Sequence, residues 1–326
     1  MAFVLGIEGT AWNLGAAVVD DDCVLVEKMD AYLPTSGGIH PRDAAQHHAD
    51  VIIKLIREVL TFAGENDLKI DAVAFSQGPG LGPCLRTVAT AARAISLGFD
   101  IPLVGVNHCV AHVEVGIWRT EASDPITLYV SGANSQVLAY QSGKYRILGE
   151  TLDIGVGNAF DKFARSIGLA HPGGPRIEEL ASGAEGYIEL PYTVKGMDFS
   201  FTGLTTAATE AHEKGANLSD LCHSFQETAF AMLVEVTERA VAHTGKDEVL
   251  LGGGVGANRR LQKMLEIMCD GRGIDFYVPE NRFLGDNAAM IAHLGNLQLK
   301  AGDVTAIEES AVKPGFRPDD VQVTWK

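Results

Sequence analysis

The sequence has 326 residues, of which 46% are hydrophobic, and it carries a formal net charge of −16. This length and apolar content allow a large core divided over two domains, and no run of about 18 apolar residues that would span a membrane is present. The acidic balance argues against a chain that binds nucleic acid unaided, because affinity for a phosphate backbone depends on Lys and Arg. A role on RNA therefore requires a local basic patch or a basic partner.

The first half of the chain alternates strand-like and helical patterns. Its N-terminal residues, MAFVLGIEGT, predict a core strand rather than a signal peptide, and hence a cytoplasmic location. Three strands are predicted first, within FVLGIEG, LGAAVVD and CVLVEKMDAYL. A helix follows in DAAQHHADVIIKLIREVLTFAG, then a strand in DAVAFSQGPG, a helix in LRTVATAARAISLGF and a strand in IPLVGV.

The same order restarts in the second half. Two strands are predicted in PITLYVSGANSQVLAYQ and a third in KYRILGETL. A helix is predicted from about Asn158, followed by an irregular segment to about Gly203. A long helix is predicted in LCHSFQETAFAMLVEVTERAVAHTG, and a strand, a turn and a helix follow in EVLLGGGVGANRRLQKMLEIM. The last two predicted elements are a strand in IDFYVP and a helix in GDNAAMIAHLGNLQL. We therefore predict an α/β fold with the order β-β-β-α-β-α in two lobes, residues 1–122 and 123–326, and a nucleotide cleft between them.

Four glycine-rich turns follow predicted strands: IEGTAWNLG, SQGPGLGP, YVSGANS and LGGGVGAN. Glycine lets backbone amides approach a phosphate closely, and a following helix adds a partly positive end. Any one of these turns is compatible with an ordinary tight turn, but four of them favour a phosphate or nucleotide site. The Walker sequence G-x-x-x-x-G-K-[ST] is absent, and no acidic residue completes a dinucleotide fingerprint after GGGVGA.

A pair of histidines, His108 and His112, lies four residues apart directly after the strand IPLVGV. On a helix, this spacing places both on one face with Cβ atoms about 5–6 Å apart, so they can share a metal ion. The spacing also fits two ordinary histidines near a helix start. Cys109 stands where the metallopeptidase motif H-E-x-x-H has its Glu. Two imidazoles leave a metal short of ligands, and Tyr129 and Asp286, each beside a glycine turn, are candidates.

The remaining cysteines and histidines give weaker signals. No C-x-x-C pair occurs, so neither a disulfide framework nor a thiolate zinc site is indicated. His47 and His48 are adjacent and do not share a helix face, so we predict a surface or interface role for them rather than joint ligation.

Nine segments closely resemble the universal tRNA threonylcarbamoyladenosine synthase family; in chain order they are SQGPGLGPCLR, NHCVAHVEVG, YVSGANSQV, FDKFARSIGL, HPGGPRIEEL, FSFTGL, SFQETAFAMLVEVTERA, LLGGGVGANRRL and GDNAAMIA. The tail RPDDVQVTW is similar to the archaeal and eukaryotic branch, whose members are catalytic subunits of the KEOPS complex, related to bacterial TsaD. The resemblance runs from about residue 3 to residue 325 and implies a two-lobed actin/Hsp70/sugar-kinase (ASKHA) fold.

The resemblance also implies the residues of the site. An iron or zinc ion is expected on His108, His112, Tyr129 and Asp286. The adenine nucleotide or acyl-adenylate is expected on Tyr129, Val130, Ser131, Gly132, Ala133, Asp161, Gly174, Glu178 and Asn258. Glu8, where related kinases carry an Asp, is a candidate catalytic residue.

The implied reaction is transfer of threonylcarbamoyl from threonylcarbamoyl-AMP to the exocyclic amine of the adenosine 3′ of the anticodon, in tRNAs that read codons beginning with A. No covalent nucleophile is evident, and the activated adenylate requires none. The expected partners are tRNA, a kinase-like subunit and a small dimerising subunit. No association with a membrane is expected. The alternatives are an ATP-dependent kinase or ATPase of the same fold, a non-enzymatic nucleotide-binding scaffold, and a metallopeptidase.

Two residues depart from the family pattern. Ala133 replaces the second glycine of YVSGGN, and Ala288 replaces the glycine of DNGAM. An alanine at position 133 leaves less space for a phosphate beside the backbone and disfavours a positive φ. This weakens the expectation that the backbone of Ala133 contacts the nucleotide, but it does not affect the expected metal ligands.

Overall fold

The computed structural model describes residues 2–34 and 38–326, and the chain forms two compact units. Unit 1 contains the described residues up to Val115, together with Gln141–Tyr145 and Asp286–Lys326. Unit 2 contains Gly116–Tyr140 and Arg146–Gly285.

The described residues up to Arg119 form five strands and three helices. They are β1 (Val4–Glu8), β2 (Asn13–Val19), β3 (Val24–Ala31), α1 (Pro41–Glu65), β4 (Ala72–Gly78), α2 (Gly82–Phe99), β5 (Leu103–Asn107) and α3 (His108–Arg119). The sheet has the order β3-β2-β1-β4-β5. Strand β1 is antiparallel to β2 and parallel to β4. Both β1 and β4 are buried along their whole length, as is usual for parallel strands covered on both faces.

The second part of the chain repeats this arrangement and adds helices. Its elements are β6 (Ile126–Val130), β7 (Ser135–Gln141), β8 (Lys144–Glu150), α4 (Val156–Ser166), α5 (Gly173–Ala181), β9 (Val194–Lys195), β10 (Asp198–Phe199), α6 (Thr202–Glu213), α7 (Leu218–Thr244), β11 (Glu248–Gly252), α8 (Arg259–Arg272), β12 (Asp275–Tyr277) and α9 (Asn281–Leu284). The larger sheet has the order β12-β11-β6-β7-β8. In both large sheets, therefore, the first strand is central, the next two lie on one side and the last two on the other.

Four phenylalanines from α4 and α7 form the aromatic part of the unit 2 core. Phe160 lies 5.0 Å from Phe225 and 5.4 Å from Phe230, and Phe163 lies 4.6 Å from Phe225, between ring centroids. Such pairs stabilise a core by about 0.5–1.5 kcal/mol beyond their area burial. They fix α4, and with it Asp161, which stands between the two rings of α4 in sequence.

The last helix, α10 (Ala288–Lys300), packs on the unit 1 sheet. Two glycines permit this close approach. A Cβ on Gly6 would lie 2.4 Å from a backbone nitrogen of α10, and a Cβ on Gly295 would lie 2.3 Å from a side-chain atom of β4. Any larger residue at either position would force the helix away from the sheet. The start of α10, and Asp286 just before it, are thereby fixed in unit 1.

The segment after α10 follows β5 and β4. Thr305 donates its backbone N–H to the Leu103 carbonyl at 2.8 Å. The side-chain amide of Gln77 donates to the carbonyls of Glu309 and Ala311 at 3.1 and 2.9 Å. The C-terminal segment therefore runs along the sheet from the first residue of β5 to the carboxyl end of β4.

The structure confirms the predicted α/β class and the repeated β-β-β-α-β-α order. The predicted boundary near residue 122 differs from the compact units, because α10 and the segment after it pack with unit 1. The stretch predicted as irregular up to about Gly203 contains α5 and the start of α6. No helix in the described residues combines the length and apolarity needed to cross a membrane.

Candidate functional site

The two histidines predicted as a pair lie on the first two turns of α3. The residue before them, Asn107, ends β5 and caps the helix, because its Oδ1 accepts the backbone N–H of Val110 at 3.0 Å. His108 is consequently the first residue of α3, and His112 lies one turn further on the same face. Their ring centroids are 4.8 Å apart, and both side chains are buried.

Asp286 reaches this pair from the other end of the chain. Its Oδ1 lies 3.3 Å from Nε2 of His108 and 3.3 Å from Nε2 of His112. It is not needed as a helix cap, since the side chain of Asn287 accepts the N–H of Met290 at 2.8 Å. Its carboxylate is thus directed at the two imidazoles while a neighbour caps α10.

These three side chains form a candidate metal site within unit 1. One ligand atom from each of His108, His112 and Asp286 lies within 4.8 Å of the others. Two imidazole nitrogens and a carboxylate oxygen are a ligand set that zinc and non-haem iron take in proteins. The residues present therefore fit such an ion by their donor chemistry and their convergence.

Glu8 contacts His108 at Nδ1, the ring nitrogen that does not face Asp286. It is fully buried, and its Oε2 accepts from Nδ1 of His108 at 3.1 Å. Its Oε1 accepts the backbone N–H and the hydroxyl of Thr10 at 2.8 and 2.7 Å. A carboxylate in this position fixes the tautomer and ring orientation of a ligating histidine, leaving Nε2 for the metal. The contacts of Glu8 favour a positioning role over the catalytic role predicted from the sequence.

The charges of this cluster depend strongly on one another. Burial opposes ionisation of Asp286, but His108 and His112 beside it hold the pKa of its carboxyl well below the usual range. Burial also lowers the pKa of His108, yet the carboxylates of Glu8 and Asp286 outweigh burial and raise that pKa above the usual value. For His112 burial prevails, and its pKa is lowered. The buried carboxylate of Glu8 and the partly buried carboxylate of Asp286 thus favour a positive charge between them, which a bound cation would also supply.

The predicted nucleotide-binding residues, in contrast, all belong to unit 2. Tyr129 is buried in β6, and this predicted metal ligand is therefore in a different unit from the other three. The turn after β6 is held by α4, since Ser131 and Gly132 accept through their carbonyls the N–H groups of Gly157 and Asn158, at 3.1 and 2.9 Å.

Asp161 of α4 connects this turn to the start of α5. Its Oδ1 accepts the N–H of Gly173 at 2.7 Å, and its Oδ2 lies 3.2 Å from Nδ1 of His171. Gly174 follows directly, and Glu178 stands one turn later on the same face of α5. The carboxylate of Asp161 thereby fixes the loop that carries Gly174.

Glu178 and Asn258 meet at the start of α8. Glu178 accepts the backbone N–H of Arg259 at 2.9 Å. Asn258 caps the helix, with its Oδ1 2.9 Å from the nitrogen of Arg260, and its amide donates to Gln226 at 2.9 Å. The structure thus links the predicted nucleotide residues in one continuous row, from the turn after β6 through α4 and α5 to α8. The side chains of Asp161, Glu178 and Asn258 already have partners within the protein.

The two alanines that replace family glycines occupy positions that suit alanine. The described non-glycine residues with positive φ are Asp67, Asp100 and Ser142, so the conformational conflict expected at Ala133 does not arise. Ala288 is the first residue of α10, where alanine is the best helix former. Its N–H donates to the carboxylate of a β3 residue at 2.9 Å.

Several residues that shape the site were not singled out from the sequence. They are Thr10 and Asn107 in unit 1, and Asn158 and His171 in unit 2. An Asn between a strand and a helix is a recognisable cap signal, so Asn107 could have been found. Thr10 contacts Glu8 two residues away, His171 contacts Asp161 and Asn158 bonds to Gly132, and none of these spacings is a recognisable sequence signal. His48, predicted to have a surface or interface role, is fully buried within the chain, whereas His47 lies 3.0 Å from Asp30.

Comparison with known proteins gives a consistent family. Residues 24–293 match the TsaD family, described as tRNA N6-adenosine threonylcarbamoyltransferase. A protein of that name from Methanococcoides burtonii is 65% identical over 329 residues, which cover 100% of this chain and 98% of that protein. A probable bifunctional tRNA threonylcarbamoyladenosine biosynthesis protein from Methanosarcina barkeri is 63% identical over 99% of this chain, which spans 60% of that protein's length.

Solved structures agree at the level of fold. HypF of T. kodakarensis superposes with a TM-score of 0.68 at 15% identity, covering 92% of this chain and 48% of that chain. Component A of the Acidaminococcus fermentans (R)-2-hydroxyglutaryl-CoA dehydratase gives a TM-score of 0.57 at 14% identity, over 92% of this chain and 100% of that chain. At these identities the likeness concerns the fold alone, and it confirms the predicted ASKHA class.

Proposed function

Because this chain belongs to the tRNA N6-adenosine threonylcarbamoyltransferase family, we propose that it transfers a threonylcarbamoyl group to tRNA. The donor in this proposal is threonylcarbamoyl-AMP. The acceptor is the exocyclic amine of the adenosine 3′ of the anticodon, in tRNAs that read codons beginning with A. The resemblance inferred from the sequence motifs is confirmed at the level of the family.

The observation that carries this proposal is the convergence of His108, His112 and Asp286 in unit 1. These residues would hold one iron or zinc ion, and the resemblance adds Tyr129 as a fourth ligand. Such an ion supplies Lewis-acid polarisation and a template for oxygen atoms of the substrate. A kinase of this fold requires a carboxylate for a hydroxyl acceptor instead, and in this chain the buried carboxylate of Glu8 is engaged by His108 and Thr10.

Positioning is the part of the mechanism that the residues of unit 1 perform. Glu8 accepts the Nδ1 proton of His108, which leaves Nε2 as the ligand atom. Asn107 fixes the first turn of α3, and thus the separation of the two imidazoles. A ligand set held by packing and hydrogen bonds needs no rearrangement when the substrate arrives.

Binding of the adenylate is assigned to the row of residues in unit 2. We propose that the turn Tyr129–Ala133 and Gly174 offer backbone groups to the nucleotide. Asp161, Glu178 and Asn258 keep the starts of α5 and α8 in place, and the oxygens of Asp161 and Glu178 contact the ribose or base. Helix starts and glycine turns of this kind suit a phosphate-bearing ligand.

The reaction needs no covalent intermediate. The adenosine amine attacks the carbamoyl carbon, a C–N bond forms, the bond from that carbon to the phosphate oxygen breaks, AMP leaves, and the amine loses a proton. Three of the five thiols fit this route, because burial raises the pKa of Cys84 and Cys222 to about 11 and that of Cys269 to about 12. Thiols in this state are poor nucleophiles at neutral pH.

The proposal includes partners and a location. We propose that this chain is the catalytic subunit of a KEOPS-type complex in the cytoplasm, together with a kinase-like subunit and a small dimerising subunit. A joint purification that retains both subunits would support this part, and an active chain with neither would remove it.

The decisive test is a transfer assay on the full chain, with and without the partner subunits. Threonylcarbamoyl-AMP and an unmodified tRNA transcript are supplied, and the nucleosides are examined by mass spectrometry. We expect threonylcarbamoyladenosine at the position 3′ of the anticodon, and its loss in the His108→Ala, His112→Ala double variant. Sugar-dependent ADP release without tRNA modification would favour the kinase instead, and proteolysis that survives repurification would favour the peptidase.

A further inference from the structure

Two unpaired cations stand at the carboxyl end of β4 in unit 1. Arg86, in the second turn of α2, and Lys313, in the C-terminal segment, are both exposed and form no ion pair within residues 2–34 and 38–326. Elsewhere in the chain, arginines such as Arg119, Arg260 and Arg272 pair with a glutamate at 3.1, 2.5 and 2.8 Å. What sets Arg86 and Lys313 apart from other exposed cations of this acidic chain, whose net charge is −16, is that they stand on touching loops beside the candidate metal site. We refer to Arg86 and Lys313 as the basic surface.

The two cations are neighbours because their loops touch. The backbone N–H of Gly80, in the loop after β4, donates to the carbonyl of Pro314 at 3.2 Å. An Nη1 atom of Arg86 and a side-chain carbon of Pro314 both lie 3.6 Å from the point where a Cβ on Gly82 would stand. Glycine at position 82 therefore leaves open the space between the guanidinium and the segment that carries Lys313.

The position of Lys313 is fixed by a tight turn. The sequence Lys-Pro-Gly-Phe has proline and glycine at its two central positions, and the N–H of Phe316 donates to the carbonyl of Lys313 at 3.0 Å. The Lys313 ammonium lies over the ring of Phe316, 4.7 Å from its centroid. An ammonium held in this way loses less side-chain entropy when it binds an anion.

Two series of contacts connect the basic surface to the candidate metal site. The N–H of Leu81 donates to the carbonyl of Thr10 at 2.7 Å, and Thr10 in turn donates to Glu8. The side-chain amide of Asn107 donates to the carbonyl of Phe316 at 3.0 Å, and Asn107 directly precedes His108. The cations therefore stand on the segments that border the two imidazoles.

We propose that Arg86 and Lys313 bind the phosphate backbone of the substrate RNA close to its acceptor adenosine. This inference rests on the proposed function. An acidic protein that acts on tRNA needs local cations at the point of contact, because the rest of its surface repels the phosphates. Arg317 is not included, since its guanidinium is paired with Asp319 at 3.1 Å. The backbone contact orients the anticodon loop and carries no sequence information.

The test measures RNA binding by the full chain as a function of salt. The variants are Arg86→Gln, Lys313→Gln and the double variant, and the probes are a fluorescein-labelled anticodon stem-loop and the whole tRNA. We expect each single variant to weaken binding roughly three- to tenfold at low salt and to reduce the slope of log K against log salt by about 1. The double variant is expected to reduce the slope by about 2.

Matched controls remove an exposed cation of the same type elsewhere in unit 1. Lys69→Gln corresponds to Lys313→Gln, and Arg57→Gln, on α1, corresponds to Arg86→Gln. Lys69 precedes β4 whereas Arg86 follows it, and a seven-residue strand spans about 23 Å. The controls are therefore expected to keep the wild-type affinity and salt slope.

The outcomes separate this inference from the proposed function. If the wild type modifies tRNA and the Arg86 and Lys313 variants bind RNA as the controls do, the basic surface is not the RNA contact and the function stands. Equal weakening by the controls, or no RNA binding by the wild type at 50 mM salt, also overturns the inference. If the wild type binds RNA through these residues but transfers nothing with its partners present, the proposed function fails.

Discussion

Unit 1 and unit 2 share one strand order but present their candidate functional residues in different ways. In unit 1, His108, His112 and Asp286 direct side-chain atoms at one another. In unit 2, Asp161 and Asn258 direct theirs at the N–H groups of helix starts. One strand order therefore supports a side-chain ligand centre in one unit and a set of capped helix starts in the other, so the candidate sites differ in the side chains that the helix starts and turns carry, not in the strand order.

This difference predicts how each unit responds to substitution. A removed ligand in unit 1 deletes a donor atom that no neighbour replaces. A substitution in unit 2 changes the shape of a helix start, which another capping side chain can restore. Substitutions in unit 1 should therefore be the more damaging, and conservative replacements should be tolerated mainly in unit 2.

The largest effect is expected for Asp286→Ala. Loss of this carboxylate removes one of three converging ligands, and several kcal/mol of transition-state stabilisation by a metal corresponds to about 10³-fold in rate. The fold should persist, because Asn287 caps α10 independently of Asp286. Metal content by mass spectrometry and tRNA modification are measured on the same preparation.

The matched control for this prediction is Asp50→Ala, which removes an exposed carboxylate of α1 in the same unit. It should leave metal content and transfer unchanged. If Asp286→Ala kept its full complement of metal, the ligand set would be wrong, and the contrast between the two units would lose its basis.

The sequence predicts the parts of this contrast that depend on local spacing. The pair His108 and His112 follows from two positions one helical turn apart, and the repeated strand order follows from hydrophobic patterns. The approach of Asp286 spans 174 residues, and no period in the sequence encodes it. The resemblance to a family supplied that residue, whereas spacing alone left it open.

Contacts between distant residues also explain what was missed. The segment up to about Gly203, which includes the first residues of α6, was predicted as irregular, and the Thr-rich start of this helix has weak helix propensity. Its start is stabilised by Asp153, which accepts the N–H groups of Phe201 and Thr202 at 3.0 and 2.8 Å. The burial of His48 was missed because a His on α1 is usually exposed. Tertiary contacts decided both cases.

The next effect concerns a buried imidazole of unit 1 outside the ligand set. Burial, and then the nearby His47, lower the pKa of His48 from 6.5 to about 4. Between pH 6.5 and 4, the imidazole of His48 is protonated in the unfolded chain but neutral in the folded chain. The free energy of unfolding should therefore fall as the pH drops from 6.5 to 4. The loss should be about 2–3 kcal/mol, measured by urea unfolding.

Two variants isolate this effect. His48→Leu should abolish the difference in stability between pH 6.5 and 4 that this imidazole causes. The adjacent variant His47→Leu should reduce this difference but retain most of it, because burial is the larger cause of the lowered pKa of His48. If the stability of His48→Leu depended on pH as that of the wild type does, the pKa of His48 would not be lowered in the folded state.

A smaller effect is expected for Glu8→Gln. The substitution keeps the shape of the side chain but removes the charge that His108 faces at 3.1 Å. Substitution of such a partner typically lowers metal affinity about 10–100-fold, which competition with a chelator would measure. Glu58→Gln, on α1, is the control and should change nothing. Full metal affinity with lost transfer would instead assign Glu8 a direct role in catalysis.

The smallest effect tests unit 2 and distinguishes a cap from a ligand. Asn258→Ala removes the cap of α8 and should cost about 1 kcal/mol of stability, together with affinity for an adenine nucleotide. Asn258→Ser restores a capping oxygen, so it should recover both. Asn217→Ala, which removes the cap of α7, should cost similar stability and leave nucleotide affinity unchanged. If Asn258→Ser were as weak in nucleotide binding as Asn258→Ala, the side chain would contact the nucleotide directly, and the two units would hold their ligands in the same manner.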